Sequence, residues 1–231
     1  MTASADVMNA ASEAAKHLSK LPGFSVSRVE PPTHHVGAVL TDSVLQAGLN
    51  YRWVVLPRVE RVKRLFPEAG VVSAFRLVLD RVGPNEVLEW SHPEKPRRLR
   101  SLTDLLGEEG VETTSDILAW IETEEGRNRL LAVRGIGPKT VDYLGILVGG
   151  ERVAVDRHLI RFLETIGIAF EGYQLTRKVV VEASRLLNVR PQDLDHAIWN
   201  YMSKVDRSGR VADCQDGPLS TSQGLGPWPA R

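Results

Sequence analysis

The chain has 231 residues, of which 42% are apolar and 25% charged, as in an ordinary globular protein. Its single cysteine, Cys214, excludes a disulfide framework, an all-cysteine zinc site and a four-cysteine iron–sulfur cluster. The 29 basic and 29 acidic residues cancel, which argues against general polyanion binding but leaves local patches open. We expect no membrane span and no secretion signal, and a cytoplasmic location if the protein is bacterial or archaeal.

Apolar residues recur at helical spacing along most of the chain and predict an all-α fold. In chain order the predicted helices cover residues 5–20, 42–49 (capped by Thr41 or Asp42), 51–66, 71–82, 101–107, 115–124, 127–133, 138–148, 157–166, 175–188 and 192–205. Pro57 predicts a kink or break in the third of these. Residues 24–40 and 84–100 are predicted to be irregular, the latter with at most a short helix. Residues 207–231 are predicted to form a loose tail.

The charges are segregated along the sequence. Five basic residues and one acid lie between Arg52 and Arg64, and a second basic run covers 95–100. Eight acids and no base lie between Asp104 and Glu125. This pattern predicts one side that faces an anion and one solvated side, although ordinary wet helix faces produce the same pattern.

The stretch Gly135-Ile136-Gly137-Pro138 joins two predicted helices. Glycines tolerate positive φ, so a pair that brackets Ile136 permits a tight hairpin, and proline suits the first position of a helix. The amides at the start of the second helix then form an anion site that suits a nucleic-acid phosphate. The alternative is a plain corner between two helices.

A second motif, Val155-Asp156-Arg157-His158, follows the hairpin, with its aspartate seventeen residues beyond Lys139. On its own this motif is typical of an N-cap that opens a helix. Together the two motifs closely resemble the helix–hairpin–helix DNA glycosylase superfamily, which includes endonuclease III, adenine-DNA glycosylase and 8-oxoguanine glycosylase. The segment Asp195–Trp199 is also similar to that family's closing helix. The resemblance is clear over residues 126–205 and weaker over 40–66.

The resemblance implies a two-lobed helical fold with a DNA cleft between the lobes. Residues 42–150 would form the central lobe, with the helix–hairpin–helix at 126–148. Residues 151–206 would form the second lobe, packed with residues 1–41. The iron–sulfur cluster of the endonuclease III branch is not expected, because only Cys214 is present.

The resemblance also implies a reaction. It identifies Asp156 as the catalytic carboxylate and Lys139 as the lysine of members that cut the strand as well as remove the base. Lys139 is in the first turn of a helix, and this position should lower the pKa of its amine and favour attack of the amine on C1′ of the deoxyribose. The expected enzyme is a base-excision DNA glycosylase with β-elimination lyase activity. The alternatives are a base-only glycosylase whose Lys139 binds phosphate, and a non-catalytic, structure-specific DNA-binding module.

The expected partner is duplex DNA with a damaged or modified base, bound by a monomer. The residues expected to contact DNA are Gly135, Ile136, Gly137, Thr140, Arg157, Arg52, Gln46, Asn50 and Tyr51. The last three are candidates to fill the gap left by a flipped base, although Tyr51 as a core residue and Asn50 as a C-cap are equally open. His196 and Trp199 are expected to pack in the core, and Trp199 is the candidate of the two for a base pocket. We expect no cofactor and no metal site, apart from a monovalent cation on hairpin carbonyls such as those of Val133 and Gly135.

Overall fold

The structure is a computed structural model that describes residues 2–30, 33–169 and 172–204. It confirms the all-α prediction, since these residues form helices and no strand. The helices are α1 (Thr2–Lys20), α2 (Val36–Leu45), α3 (Leu56–Leu65), α4 (Val72–Val82), α5 (Pro84–Leu88), α6 (Glu94–Glu108), α7 (Thr114–Glu122), α8 (Glu124–Ala132), α9 (Pro138–Leu147), α10 (Arg157–Thr165), α11 (Tyr173–Leu186) and α12 (Pro191–Lys204). Cys214 and the predicted tail 207–231 lie outside the described residues.

The predicted start of the second helix is wrong by about six residues. Instead of Thr41 or Asp42, His35 caps α2: its Nδ1 accepts from the amide of Ala38 at 3.1 Å, while Nε2 bonds the Phe66 carbonyl at 2.9 Å. Every residue of α2 is buried, so the helix has no polar face from which a period could be read. Its buried polar residues look like a cap in the sequence.

Residues 94–100 are also helical, contrary to the predicted loop. Helix α6 begins at Glu94, directly after Pro93, and Pro96 lies in its first turn. A proline there costs no hydrogen bond, because the first amides of a helix have no partner within it. At the predicted kink or break near Pro57 the helix type changes: a π-helical turn, Tyr51–Val55, continues directly into α3.

The described residues form two compact units. One combines residues 2–29 with 151–204, and its core is formed by α1, α10, α11 and α12. The other covers residues 30 and 33–150 and has its own core, built from apolar side chains such as Leu40, Phe75, Leu102 and Leu144. The expectation that residues 33–41 pack with the second lobe is wrong. They belong to this central unit, because α2 packs on α3, α6 and α9.

Within the described parts of the chain, none of the helices combines the length and the apolar composition that crossing a membrane requires.

Candidate functional site

The hairpin between α8 and α9 closes on a short turn. The Ile136 amide donates to the Val133 carbonyl at 2.9 Å, and the Ile136 side chain is buried. Gly135 has a φ of +82°, a conformation that favours glycine, whereas Gly137 has an extended φ of −107° that any residue adopts. The expectation that both glycines supply backbone freedom is therefore correct for Gly135 and wrong for Gly137. Ile136 packs inside the hairpin, so its side chain cannot contact DNA.

Gly137 has a different role at the start of α9. It is the N-cap residue, Pro138 follows it, and no side chain caps the helix. A Cβ atom built on Gly137 would meet no other atom within 4 Å, so the space beside this backbone is open. Thr140, in the same turn, has a buried side chain. A ligand such as a phosphate can therefore approach the backbone amides of this helix end closely.

Lys139 is the second residue of α9 and is half-buried. One turn further on, the Tyr143 hydroxyl donates to Asp42 at 3.0 Å, and the Tyr51 hydroxyl donates to the other oxygen of that carboxyl at 3.0 Å. Asp42 is only 1% exposed, and burial raises its pKa to about 7. This buried network ties α9 to α2 and to the π-helical turn. Sequence reasoning missed it, because Tyr143 is 101 residues from Asp42 in the chain.

Asp156 is the N-cap of α10. Its Oδ1 accepts from the amides of His158 at 2.8 Å and Leu159 at 3.1 Å, which confirms that Val-Asp-Arg-His opens a helix. The carboxyl is half-buried, and Arg157 beside it is exposed. A capping carboxylate is held by its own backbone, so its position is fixed relative to the first turn of α10.

A second buried carboxyl holds the segment that leads to Asp156. Asp195 on α12, only 2% exposed, accepts from the amide of Ala154 at 2.8 Å. The Tyr173 hydroxyl donates to the neighbouring Val153 carbonyl at 3.4 Å. Asp195 therefore positions the backbone two residues before Asp156. Sequence reasoning found the segment around Asp195 but not this role.

Trp199 is a core residue in this structure. It is 5% exposed and packs against the rings of His158, at 6.1 Å between centroids, and His196, at 6.3 Å. Burial lowers the pKa of His196 to about 4, so its ring is neutral at pH 7. The prediction that Trp199 lines a base pocket is not supported, because its ring presents little surface to a ligand.

The segment from α2 to the π-helical turn corrects a further prediction. Gln46 is buried, the Asn50 side chain accepts from the amide of Trp53 at 3.0 Å, and Tyr51 is held by Asp42. Asn50 is thus an N-cap, not a C-cap, and Tyr51 is a core residue. Trp53, which sequence reasoning did not select, is 71% exposed. The available signal was an aromatic residue inside a basic run.

The basic run between Arg52 and Arg64 is less available than its sequence suggests. Arg58 donates to three backbone carbonyls, and Arg61 and Lys63 are paired with glutamates. Arg52 and Arg64 are the exposed members of the run, and neither has a carboxylate partner among the described residues. These two are therefore the cations that the run offers to an anion.

The N-terminal end of α6 contacts two other parts of the central unit, the end of α2 and the hairpin. The Lys95 ammonium donates at 3.0–3.3 Å to three carbonyls at the end of α2, those of residues 44, 45 and 47. Three residues on, the Arg98 guanidinium lies so close to Gly135 that a Cβ there would overlap it. Glu94, one residue before Lys95, pairs with Arg134 of the hairpin at 3.3 Å. The end of α2 and the hairpin therefore both contact the N-terminal end of α6.

No group of three or more His, Cys, Asp or Glu residues with suitable geometry occurs in the part of the chain that the structure describes. The Val133 carbonyl, one of two proposed for a monovalent cation, accepts the hairpin bond from Ile136. The cation at the hairpin stays a prediction.

Two comparisons with known proteins complement this geometry. A family model described as a domain of unknown function (DUF8548) matches residues 90–203, which include the hairpin and Asp156. Among solved structures, the fold is similar to that of H. pylori 3-methyladenine DNA glycosylase (MagIII) bound to 1,N6-ethenoadenine. The TM-score is 0.59 at 19% sequence identity, and the match covers 85% of this chain and 97% of the H. pylori chain. At this identity the likeness shows a shared all-α fold.

Proposed function

We propose that the protein is a base-excision DNA glycosylase that acts on damaged or modified bases in duplex DNA. The observation that supports the proposal is the presence of two motifs, one suited to bind a DNA phosphate and one that supplies a carboxylate. One is a hairpin whose second helix opens with an uncapped, sterically open N-terminus. The other is a capping aspartate at the start of α10. The shared fold with a DNA glycosylase supports the same conclusion.

Each motif has a distinct task in this proposal. The amides of the first turn of α9 hold a backbone phosphate without reading a base. The damaged nucleotide is flipped out of the stack, because its glycosidic bond is not accessible inside the duplex. The Asp156 carboxylate stabilises the positive charge that develops on the deoxyribose as the bond from C1′ to the base breaks. The base leaves with the electron pair of that bond and takes up a proton. In simple hydrolysis the oxygen of a water molecule then bonds to C1′ and loses a proton.

We further propose that Lys139 is the nucleophile of an associated lyase reaction. Its neutral amine forms a bond to C1′ as the base leaves, and loss of a proton and ring opening give a protonated Schiff base. Removal of a proton from C2′ then expels the 3′ phosphate by β-elimination and nicks the strand. Hydrolysis of the Schiff base regenerates the amine. This step needs no redox partner.

The test is a panel of duplexes that each contain one lesion. The panel includes 3-methyladenine and 1,N6-ethenoadenine, named for the H. pylori protein, together with oxidised purines and oxidised or deaminated pyrimidines. We expect release of at least one base by the wild type and none by Asp156→Asn. Binding to the duplexes without release of any base would contradict the proposal and indicate a DNA-binding module.

The lyase step has its own test. Borohydride reduces a Schiff base to a stable amine and so traps the enzyme on DNA. We expect a trapped adduct with the wild type and with Lys178→Gln, which changes an exposed lysine on α11, but not with Lys139→Gln. Base release without an adduct would refute the lyase step and leave a glycosylase whose Lys139 binds phosphate.

A further inference from the structure

Trp53 exposes an aromatic ring that a folded protein would ordinarily bury. It is 71% exposed, whereas the other large exposed apolar side chains among the described residues are aliphatic. The Arg52 guanidinium lies over the ring, 5.2 Å from its centroid. A flat cation on an indole forms a platform that suits a nucleic-acid base, because every base has a π-face that can stack on it.

The backbone that carries this ring is held from several directions. The Asn50 side chain caps the turn at the Trp53 amide, and Tyr51 is anchored in the core by Asp42. Arg58 donates to the Val54 carbonyl at 2.9 Å. The ring therefore projects from a fixed turn, and binding does not have to order the segment first. π-Helical turns are rare and often occur at functional sites.

The surroundings favour an anionic partner. Arg52 and Arg64 are exposed and, among the described residues, have no carboxylate partner. The N-terminal end of α6 contacts both the end of α2, which precedes the π-helical turn, and the hairpin that we propose binds a phosphate. A stacking residue in the same unit as a phosphate-binding helix end is suited to DNA whose bases are locally unstacked.

We propose that Trp53, supported by Arg52, inserts into the duplex and stacks on the bases left exposed when the damaged nucleotide is flipped out. This inference rests on the proposed function. It transfers the gap-filling role from Gln46, which is buried, and from Asn50 and Tyr51, which bond within the fold, to a residue that is exposed to solvent.

The experiment uses a duplex that contains an abasic-site analogue with 2-aminopurine as the adjacent base, because 2-aminopurine fluorescence reports stacking. We expect the wild type to bind this duplex more tightly than an intact duplex and to change the fluorescence. Trp53→Ala should weaken that binding by about tenfold, as for loss of one aromatic–base stack, and abolish most of the change. Trp53→Phe should retain most of both effects. Leu77→Ala, at a 69% exposed residue on α4, should behave as the wild type.

Three results would overturn the inference. In the first, Trp53→Ala matches the wild type in affinity and fluorescence. In the second, it weakens binding to the intact duplex as much as to the abasic duplex, which would make Trp53 a general DNA contact. In the third, Trp53→Phe fails while its circular dichroism is unchanged. If instead the wild type neither prefers the abasic duplex nor releases any base, the proposed function itself fails.

Discussion

The buried carboxyl of Asp42 should make the stability of the protein depend on pH in an unusual direction. The group is 1% exposed, its two oxygens accept from Tyr51 and Tyr143, and burial raises its pKa from 3.8 to about 7. Burial also raises the pKa of both tyrosines, so their hydroxyls stay protonated donors. The folded state therefore retains a proton that the unfolded state releases near pH 4.

The sign and size follow from proton linkage. The stabilisation by this group is fully present below about pH 4 and is lost as the pH rises through about 7. At about 1.4 kcal/mol per pH unit, the loss over this window is roughly 4 kcal/mol, an upper bound. His196 acts in the opposite direction: because its pKa is about 4 when folded, its contribution is lost as the pH falls from 6.5 to 4. The wild-type profile is thus a sum of opposing effects, and only a difference between variants isolates Asp42.

The perturbation is Asp42→Asn, which keeps the size of the side chain and one oxygen acceptor but cannot ionise. We expect its free energy of unfolding, measured by urea titration with circular dichroism at pH 4.5, 6 and 8, to rise relative to that of the wild type as the pH increases. Glu108→Gln, at an exposed acid on α6, should run parallel to the wild type. Parallel curves for Asp42→Asn would refute the reasoning, because they would mean that Asp42 is ionised in the folded protein across this range.

Other predictions concern the hairpin and the segment before Asp156. Gly135→Ala should lower the free energy of unfolding by at least about 1 kcal/mol, because φ is +82° at this position and the added Cβ overlaps the guanidinium of Arg98. Thermal unfolding measures this loss. Gly137→Ala is the matched control: with an extended φ and open space it should leave stability nearly unchanged but weaken binding to a duplex, because the methyl group blocks close approach. Equal melting temperatures for the two variants would contradict this difference. Asp195→Ala leaves the buried amide of Ala154 without its acceptor, so we expect the free energy of unfolding to fall by about 1–3 kcal/mol in urea titrations. We also expect slower base release. Base release at the wild-type rate would show that Asp195 does not position the segment before Asp156.

The sequence by itself determined the fold class and the order of most helices. Amphipathic spacing marked the helices that have one wet face, such as α4 at Val72–Val82 and α10 at Arg157–Thr165. Local chemistry also identified the glycine turn at Gly135 and the capping role of Asp156, because a positive φ and a cap depend on neighbouring residues only. The start of α2 escaped this approach, since a helix buried on all sides has no period to detect.

The tertiary structure alone decided which polar and aromatic residues remain available to a ligand. Tyr51 and Trp53 are two residues apart in the same basic run, yet one is anchored to Asp42 in the core and the other is exposed. The physical reason is that the burial of Tyr51 depends on contacts between distant parts of the chain: Asp42, which anchors it, also accepts from Tyr143 on α9, and Lys95 on α6 donates to carbonyls at the end of α2. Such pairings contribute to the free energy of folding only when the helices are packed, so no local sequence pattern encodes them.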